Sequence, residues 1–308
     1  MKSPPPPPSH ARQPATDAQA TVACLEAEDA YHQGEYTAAI ALLRAAIDHY
    51  ERTRNYPDLV GNLTNLGVLY NQINDSARSI ECLQDALRLA HQHCGWLQVA
   101  HCHKILATIF NDNDDVNGAD RENAHADARF ARAAAGEFGP LRPEDSALLP
   151  KWRADCAVTS AIIENKRGAV TEADARIRDA LDYYRSCALD SNELPYCLSV
   201  LADIQRQARR YADAIDTLVE AQGRYLQRGS MTHADDCALK LARLWWERTD
   251  LTLTSLERRT RVLDIAIPAI LRLDRLRLQF ASPPERANWT LRLRKEFTFV
   301  FEVADTAD

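Results

Sequence analysis

Apolar residues recur along the chain at the three- and four-residue spacing of an amphipathic helix, most clearly in residues 61–90. Two sets follow this spacing, and a short polar turn separates them: Leu63, Leu66, Gly67 and Tyr70, then Ile80, Leu83, Ala86 and Leu87. The pattern predicts two helices joined by a turn.

The second half of this unit recurs in residues 34–47, 168–181 and 209–222. Small residues stand at aligned positions, 40 residues apart in Ala46 and Ala86 and 41 apart in Ala180 and Ala221, with room for a further unit between the two pairs. The repetition predicts an all-α solenoid of about six helical hairpins. A last helix is expected to start at Pro283, with Ser282 as its cap and Glu285 completing a capping box.

The stretches "LTNLGVLY" and "GEYTAAIALLRAAI" resemble the tetratricopeptide repeat (TPR), in which small residues let two helices cross closely. The resemblance covers about residues 20–280 and implies a right-handed α-solenoid of TPR-like hairpins. We therefore expect three segments: a disordered proline-rich tail over 1–19, the solenoid over 20–281, and a C-terminal capping helix and tail over 282–308.

Helical geometry predicts which surface is free to bind a partner. The face opposite the packed one in the second hairpin holds Asn65, Val68 and Gln72, and the same register continues along the first helix of each later hairpin. It gives His101, Ile105, Thr108 and Asp112, then Asp155, Thr159, Ile162 and Lys166, then Tyr196, Ser199, Asp203 and Arg206. This mixed surface suits an extended peptide or a partner helix, and the alternative is a merely solvated face.

We predict ten partner-binding residues on this inner surface: Asn65, Val68, Gln72, His101, Thr108, Ile162, Lys166, Tyr196, Asp203 and Arg206. One TPR groove grips the carboxylate of chaperone tails, and of its clamp residues only Asn65 has a counterpart here. Other residues stand at the remaining clamp positions: Cys24, Glu28, His101 and Ile105. That specificity is therefore not expected.

Composition is that of an ordinary globular protein, with 46% hydrophobic and 26% charged residues. The net charge of −7 argues against a nucleic-acid partner, and no apolar run is long enough for a membrane span. The N-terminus lacks the apolar core of a secretory signal, and eight scattered cysteines favour reduced thiols. A cytoplasmic location is expected.

The stretch "HQHCGWLQVAHCHK" raises the possibility of a zinc site. Residues two apart on a helix point in nearly opposite directions, so His91 with His93, or His101 with His103, is not a chelating pair. The segment that begins at residue 111 resembles a calcium loop, but a loop that opens at Asn113 would close at Ala124, where a glutamate is needed. We predict ordinary packing in the first case, a turn between helices in the second, and no metal.

No phosphate-binding glycine motif and no nucleophile elbow occurs, so neither a cofactor nor catalysis is expected. The chain is interpreted as a non-catalytic protein-interaction module of the scaffold or adaptor type. Its main alternative is a TPR-type sensor of a peptide signal that controls a transcription regulator. Catalytic activity is the third hypothesis for the function of the chain.

Residues 257–295 hold ten basic and four acidic residues, a net charge of +6, and the remainder is therefore −13. We predict that a basic edge in this segment binds an acidic protein surface, through Arg272, Arg275, Arg292 and Lys295. A simple capping role is the alternative.

Residues 267–304 also resemble the segment that precedes the caspase-like CHAT domain in bacterial TPR proteins. Five residues carry this resemblance: Pro268, Asp274, Arg277, Arg286 and Trp289. It implies a regulatory repeat module that works beside a separately encoded effector.

Overall fold

The computed structural model describes residues 14–187, 193–248, 253–280 and 282–306. Within these ranges the secondary structure consists of thirteen α-helices and a short 3-10 helix over Leu276–Gln279. The α-helices are α1 (Asp17–His32), α2 (Tyr36–Thr53), α3 (Tyr56–Gln72), α4 (Ser76–His93), α5 (Trp96–Asp112), α6 (Val116–Ala134), α7 (Pro143–Lys166), α8 (Val170–Ser186), α9 (Glu193–Gln207), α10 (Tyr211–Gln227), α11 (Met231–Glu247), α12 (Ser255–Arg275) and α13 (Pro283–Asp305).

Successive helices pack as antiparallel hairpins, from α1 with α2 to α11 with α12, and α13 packs on α12. The odd-numbered helices also contact one another, since α3 packs on α5, α5 on α7 and α7 on α9. They form an inner layer, and the even-numbered helices form an outer one. The predicted all-α solenoid of six hairpins with a final helix is confirmed.

Small residues lie where the two helices of a hairpin cross. Ala46, Ala86 and Ala221 are fully buried and Ala180 is 1% exposed. A Cβ atom on Gly67 would come within 3.0 Å of the Leu83 side chain and 3.2 Å of the Ser79 carbonyl oxygen. The repeat register read from these residues is thus the register of helix packing.

Aspartate and serine side chains cap several helices. Asp115 accepts a hydrogen bond from the backbone N–H of Gly118 at 2.9 Å, so the segment that resembles a calcium loop is the turn that starts α6. Ser282 caps α13 as predicted, because it accepts from the N–H of Glu285 at 3.3 Å. The predicted capping box is not formed: the Glu285 carboxylate lies instead 3.6 Å from the Arg78 guanidinium.

The two ends of the solenoid pack against each other. Trp289 of α13 is fully buried, and its ring centroid lies 5.6 Å from that of Tyr36 at the start of α2. Thr37 donates to the carbonyl of Gln279 at 3.1 Å, and Asn288 donates to Asp75 at 3.3 Å. The helices therefore complete a superhelical turn, and the last hairpin closes onto the first two.

The start of the chain lies largely outside the described residues. Of the predicted tail over 1–19, only residues 14–19 are described, and α1 already begins at Asp17. The Pro14 carbonyl oxygen lies 3.0 Å from Nδ1 of the buried His49. None of the described helices combines the length and apolar character that a membrane crossing requires.

Replacing Ala86 or Ala180 with leucine should overpack a helix crossing and lower the free energy of unfolding by about 1–3 kcal/mol. Urea denaturation monitored by circular dichroism measures the change. Ala175→Leu is the matched control, because Ala175 is exposed on the same helix as Ala180. Equal stability of the buried and exposed variants would contradict the assigned register.

Trp289→Ala should separate the last hairpin from the first, since it removes the ring that contacts Tyr36. We expect a loss of about 3–5 kcal/mol in stability and faster amide hydrogen exchange in both α2 and α13. Phe130→Ala is the control, because it empties an equally buried site between α5 and α7 that does not touch the closure. Unchanged protection of α2 in Trp289→Ala would show that the two ends do not depend on each other.

Candidate functional site

The inner layer lines four adjoining cavities, which together we call the inner groove. The N-terminal pocket has a volume of about 360 Å³ and lies between α1 and α3, where it is lined by residues that include Cys24, Leu25, Glu28 and Asn65. The central cavity of about 570 Å³ is lined mainly by α1, α3, α5, α9 and α11. A side pocket of about 190 Å³ lies mainly between α5, α7 and α9, and a C-terminal pocket of about 740 Å³ mainly between α9, α11 and α13.

The four cavities form one continuous surface because neighbours share lining residues. Tyr31 and Val68 line both the N-terminal pocket and the central cavity. Thr108 and Tyr196 line the central cavity and the side pocket. Lys240 and Arg243 line both the central cavity and the C-terminal pocket.

Closure of the superhelix completes one wall of the central cavity. The end of α1 meets the start of α11, where the Tyr31 and His233 rings lie 6.3 Å apart, and Tyr225 stacks on His233 at 5.1 Å. Tyr196 exposes 41% of its surface, and partial desolvation raises the pKa of its hydroxyl. The cavity is therefore lined by aromatic rings and accessible to solvent.

Most charged groups that line the central cavity are held in ion pairs. Asp236 pairs with Arg292 at 3.0 Å, Glu296 with Arg243 at 2.9 Å and Lys240 with Asp203 at 2.6 Å, whereas Glu193 pairs with Lys151 at 2.6 Å. Burial opposes the charge of Lys240, but Asp203 outweighs burial and raises the pKa of the ammonium group. These pairs fix the side chains that face the cavity.

Asp155 organises the side pocket. Its carboxylate lies 2.6 Å from the Lys104 ammonium and 3.6 Å from that of Lys151, and it accepts a hydrogen bond from Tyr184. Burial acts to raise the pKa of Asp155, but the two lysines outweigh it and hold the pKa below its ordinary value. A single carboxylate thus ties α5 to α7 and α8.

Seven of the ten predicted inner-surface residues line the inner groove: Asn65, Val68, Gln72, Thr108, Tyr196, Asp203 and Arg206. Ile162 packs against the apolar core around α8, and Lys166 donates to Asp114 at 2.8 Å. His101 does not line any of the four cavities. Its ring lies 4.9 Å from that of Trp152, and burial lowers its pKa to about 4, so it is a neutral member of an aromatic cluster.

The four cations of the predicted basic edge do not lie on one exposed surface. Arg272 forms an ion pair of 2.5 Å with the buried Asp235, and Arg292 pairs with Asp236 inside the inner groove. Arg275 is exposed, and Lys295 lines the C-terminal pocket. Two of the four therefore attach α12 and α13 to α11, and the partner role of all four stays a prediction.

The histidine-rich stretch is placed as the sequence predicts. Helix α4 ends at His93, and His101 and His103 lie near the start of α5. His103 is 7% exposed, and its Nδ1 lies 2.7 Å from the Glu122 carboxylate between α5 and α6. Among the described residues, no three histidine, cysteine, aspartate or glutamate side chains are arranged to hold a metal ion.

Sequence reasoning missed the part of the inner groove that α1 and α11 contribute. The register that gives Tyr196, Asp203 and Arg206 recurs 37 residues later in the sequence. The same separation joins Asp203 to Lys240, which donates a hydrogen bond to it. The register then gives three residues that line the groove: His233, Lys240 and Arg243. The register in the sequence thus extends to α11, whereas on α1 it indicates only the clamp positions Cys24 and Glu28.

Comparisons with known proteins agree with this architecture. The family model described as "Tetratricopeptide repeat" matches residues 19–92, which contain the first two hairpins. No curated protein sequence matches the chain.

Two solved structures share the fold over nearly the whole chain. One is a Rap protein complexed with competence and sporulation factor, with a TM-score of 0.59 and 13% identity over 92% of this chain and 76% of that one. The other is the apo form of RapI, with a TM-score of 0.52 and 10% identity over 92% of this chain and 97% of that one. Residues 19–92 thus match the tetratricopeptide repeat, and the described residues share the helical solenoid fold of these two structures.

Asp155→Asn should destabilise the protein by about 3 kcal/mol near neutral pH, because it leaves the largely buried Lys104 ammonium group without its carboxylate, whereas Lys151 keeps Glu193. A depressed pKa contributes stability above the unfolded value of about 3.9 and loses it as the pH falls through the folded value. The difference from the wild type should therefore be constant from about pH 7 to about pH 5 and narrow below about pH 4. Urea unfolding at several pH values measures it, and a difference that is independent of pH would contradict the ion pairing.

Proposed function

We propose that the chain is a non-catalytic interaction module that binds an extended peptide segment of a partner protein in its inner groove. The observation that carries this proposal is the continuity of the four cavities along the inner layer, with a mixed lining of aromatic, apolar and charged side chains. An elongated, chemically mixed groove fits a peptide chain better than it fits one compact small molecule.

The bound segment would belong to an effector that is encoded separately, such as a caspase-like peptidase, and binding would regulate that effector. The resemblance of the segment that contains Pro268, Asp274 and Trp289 to the repeats before CHAT domains supports this partner class. In this chain Trp289 closes the superhelix. The segment therefore has a structural role that is independent of any effector.

A second candidate function is the sensing of a short peptide signal to control a transcription regulator. The central cavity favours it, because its volume of about 570 Å³ and its aromatic lining suit a short ligand. The Rap protein of similar fold was solved with competence and sporulation factor. In this version the ligand would occupy the central cavity, and the regulator would bind elsewhere on the solenoid.

Site-specific photo-crosslinking tests the proposal. We would place p-benzoylphenylalanine at Tyr196 or at Val68 of the full chain, which both line the central cavity, and irradiate the producing cells. Val219 is the control position, because it is 54% exposed on α10 of the outer layer. We expect both groove positions to crosslink the same polypeptide, and Val219 not to do so.

Mass spectrometry of the adducts then separates the two versions. A caspase-like peptidase as the shared adduct supports the effector, and a short secreted or processed peptide supports the sensor. Equal labelling at Val219, or different polypeptides at Tyr196 and Val68, would contradict peptide binding in the inner groove.

A further inference from the structure

One acidic residue in the central cavity differs from the rest. Asp112 is the last residue of α5, and its Oδ2 accepts a hydrogen bond of 2.7 Å from the Asn71 amide. No cationic side chain of the described residues lies within 4.0 Å of this carboxylate. The other three acidic residues that line the cavity are held in ion pairs: Glu193, Asp236 and Glu296. The charge that remains without a partner in this cavity is therefore negative.

The nearby cations are already engaged. Lys166 donates to Asp114 and to the Asn111 carbonyl oxygen, and Arg292 pairs with Asp236. The Asp112 side chain is exposed to the solvent of the cavity. Partial desolvation by the cavity walls raises the pKa of its carboxyl group, despite the Asn71 hydrogen bond and the charges of these two cations. An incoming cation can therefore reach this carboxylate and would favour its charged form.

The surroundings of Asp112 add two features that favour a positive charge. Helices α1, α3 and α5 all end at this wall, where Gln72 donates to the Tyr31 hydroxyl at 3.1 Å, and helix C-termini carry partial negative charge. Tyr31, Tyr196 and His233 supply aromatic faces in the same cavity. A carboxylate beside aromatic rings is a recurrent way of binding ammonium and guanidinium groups.

We propose that Asp112, with Tyr31 and Tyr196, forms a subsite for a positively charged group of the bound peptide, either an ammonium or a guanidinium. This inference rests on the peptide-binding function proposed above and names the chemistry that the central cavity selects.

The test uses the full-length chain and pools of random, C-terminally amidated hexapeptides, prepared with either free or acetylated N-termini. Equilibrium dialysis is followed by mass spectrometry of the retained peptides. We expect enrichment on the order of tenfold for peptides with a cation, which corresponds to about 1.4 kcal/mol. Enrichment that depends on a free N-terminus identifies the α-ammonium group, and enrichment of lysine or arginine in the acetylated pool identifies a side chain.

Asp112→Asn should abolish this enrichment while peptides without a cation are retained as before. Asparagine keeps the size of the side chain and still accepts from Asn71, so the cavity should be preserved. Asp216→Asn is the matched control, because it removes the same charge from an exposed position on α10. It should leave the tenfold preference unchanged.

The outcomes separate this inference from the proposed function. Retention of peptides without charge preference, or an undiminished preference in Asp112→Asn, would overturn the cation subsite and leave peptide binding intact. Retention of no peptide by the wild-type chain would overturn peptide binding itself, and the subsite with it.

Discussion

The contact between Trp289 and Tyr36 is the interaction on which the functional surface depends. Each repeat of a solenoid buries its apolar face only against its neighbours, so the two terminal repeats are left with exposed faces that must be capped. In this chain the terminal repeats cap each other, because Trp289 and Phe280 join the same apolar core as Tyr36 and Ile40. The central cavity has a wall shared by α1 and α11 only because this closure brings the start of α11 to the end of α1.

The helices and their pairing could be predicted because they follow from local pattern. Leu66 and Tyr70 are buried at helical spacing, and the aligned alanines mark the crossings. The closure could not be predicted in the same way, because it depends on small rotations between hairpins that accumulate around the whole superhelix. Trp289 seals the last hairpin. It does so by donating to the Leu273 carbonyl at 2.8 Å, but its ring also packs on the first hairpin.

The inner groove could likewise be predicted from local pattern only in part, because some of its side chains are placed by contacts between distant parts of the chain. A helical register was enough to find Val68, Thr108 and Tyr196. The register did not predict the position of His101, because the ring of this residue packs against that of Trp152 in an aromatic cluster. The net charge of the C-terminal segment also did not predict how its cations are arranged. The sequence shows an excess of cations over residues 257–295, but it does not show that consecutive acids of α11, Asp235 and Asp236, each take one of them.

Buried ion pairs are weak contributors to stability, because desolvation offsets much of their attraction, so their main effect here is to fix charge and orientation in the cavity. Arg292 is central to that effect. It lies one turn after Trp289, and its guanidinium is 4.7 Å from that indole ring while it neutralises Asp236. Helix α13, which closes the superhelix, therefore also determines which acidic residue of the cavity has no cationic partner. Because α13 provides both the Trp289 ring and the Arg292 cation, the shape of the central cavity and its negative potential at Asp112 depend on the docking of a single helix.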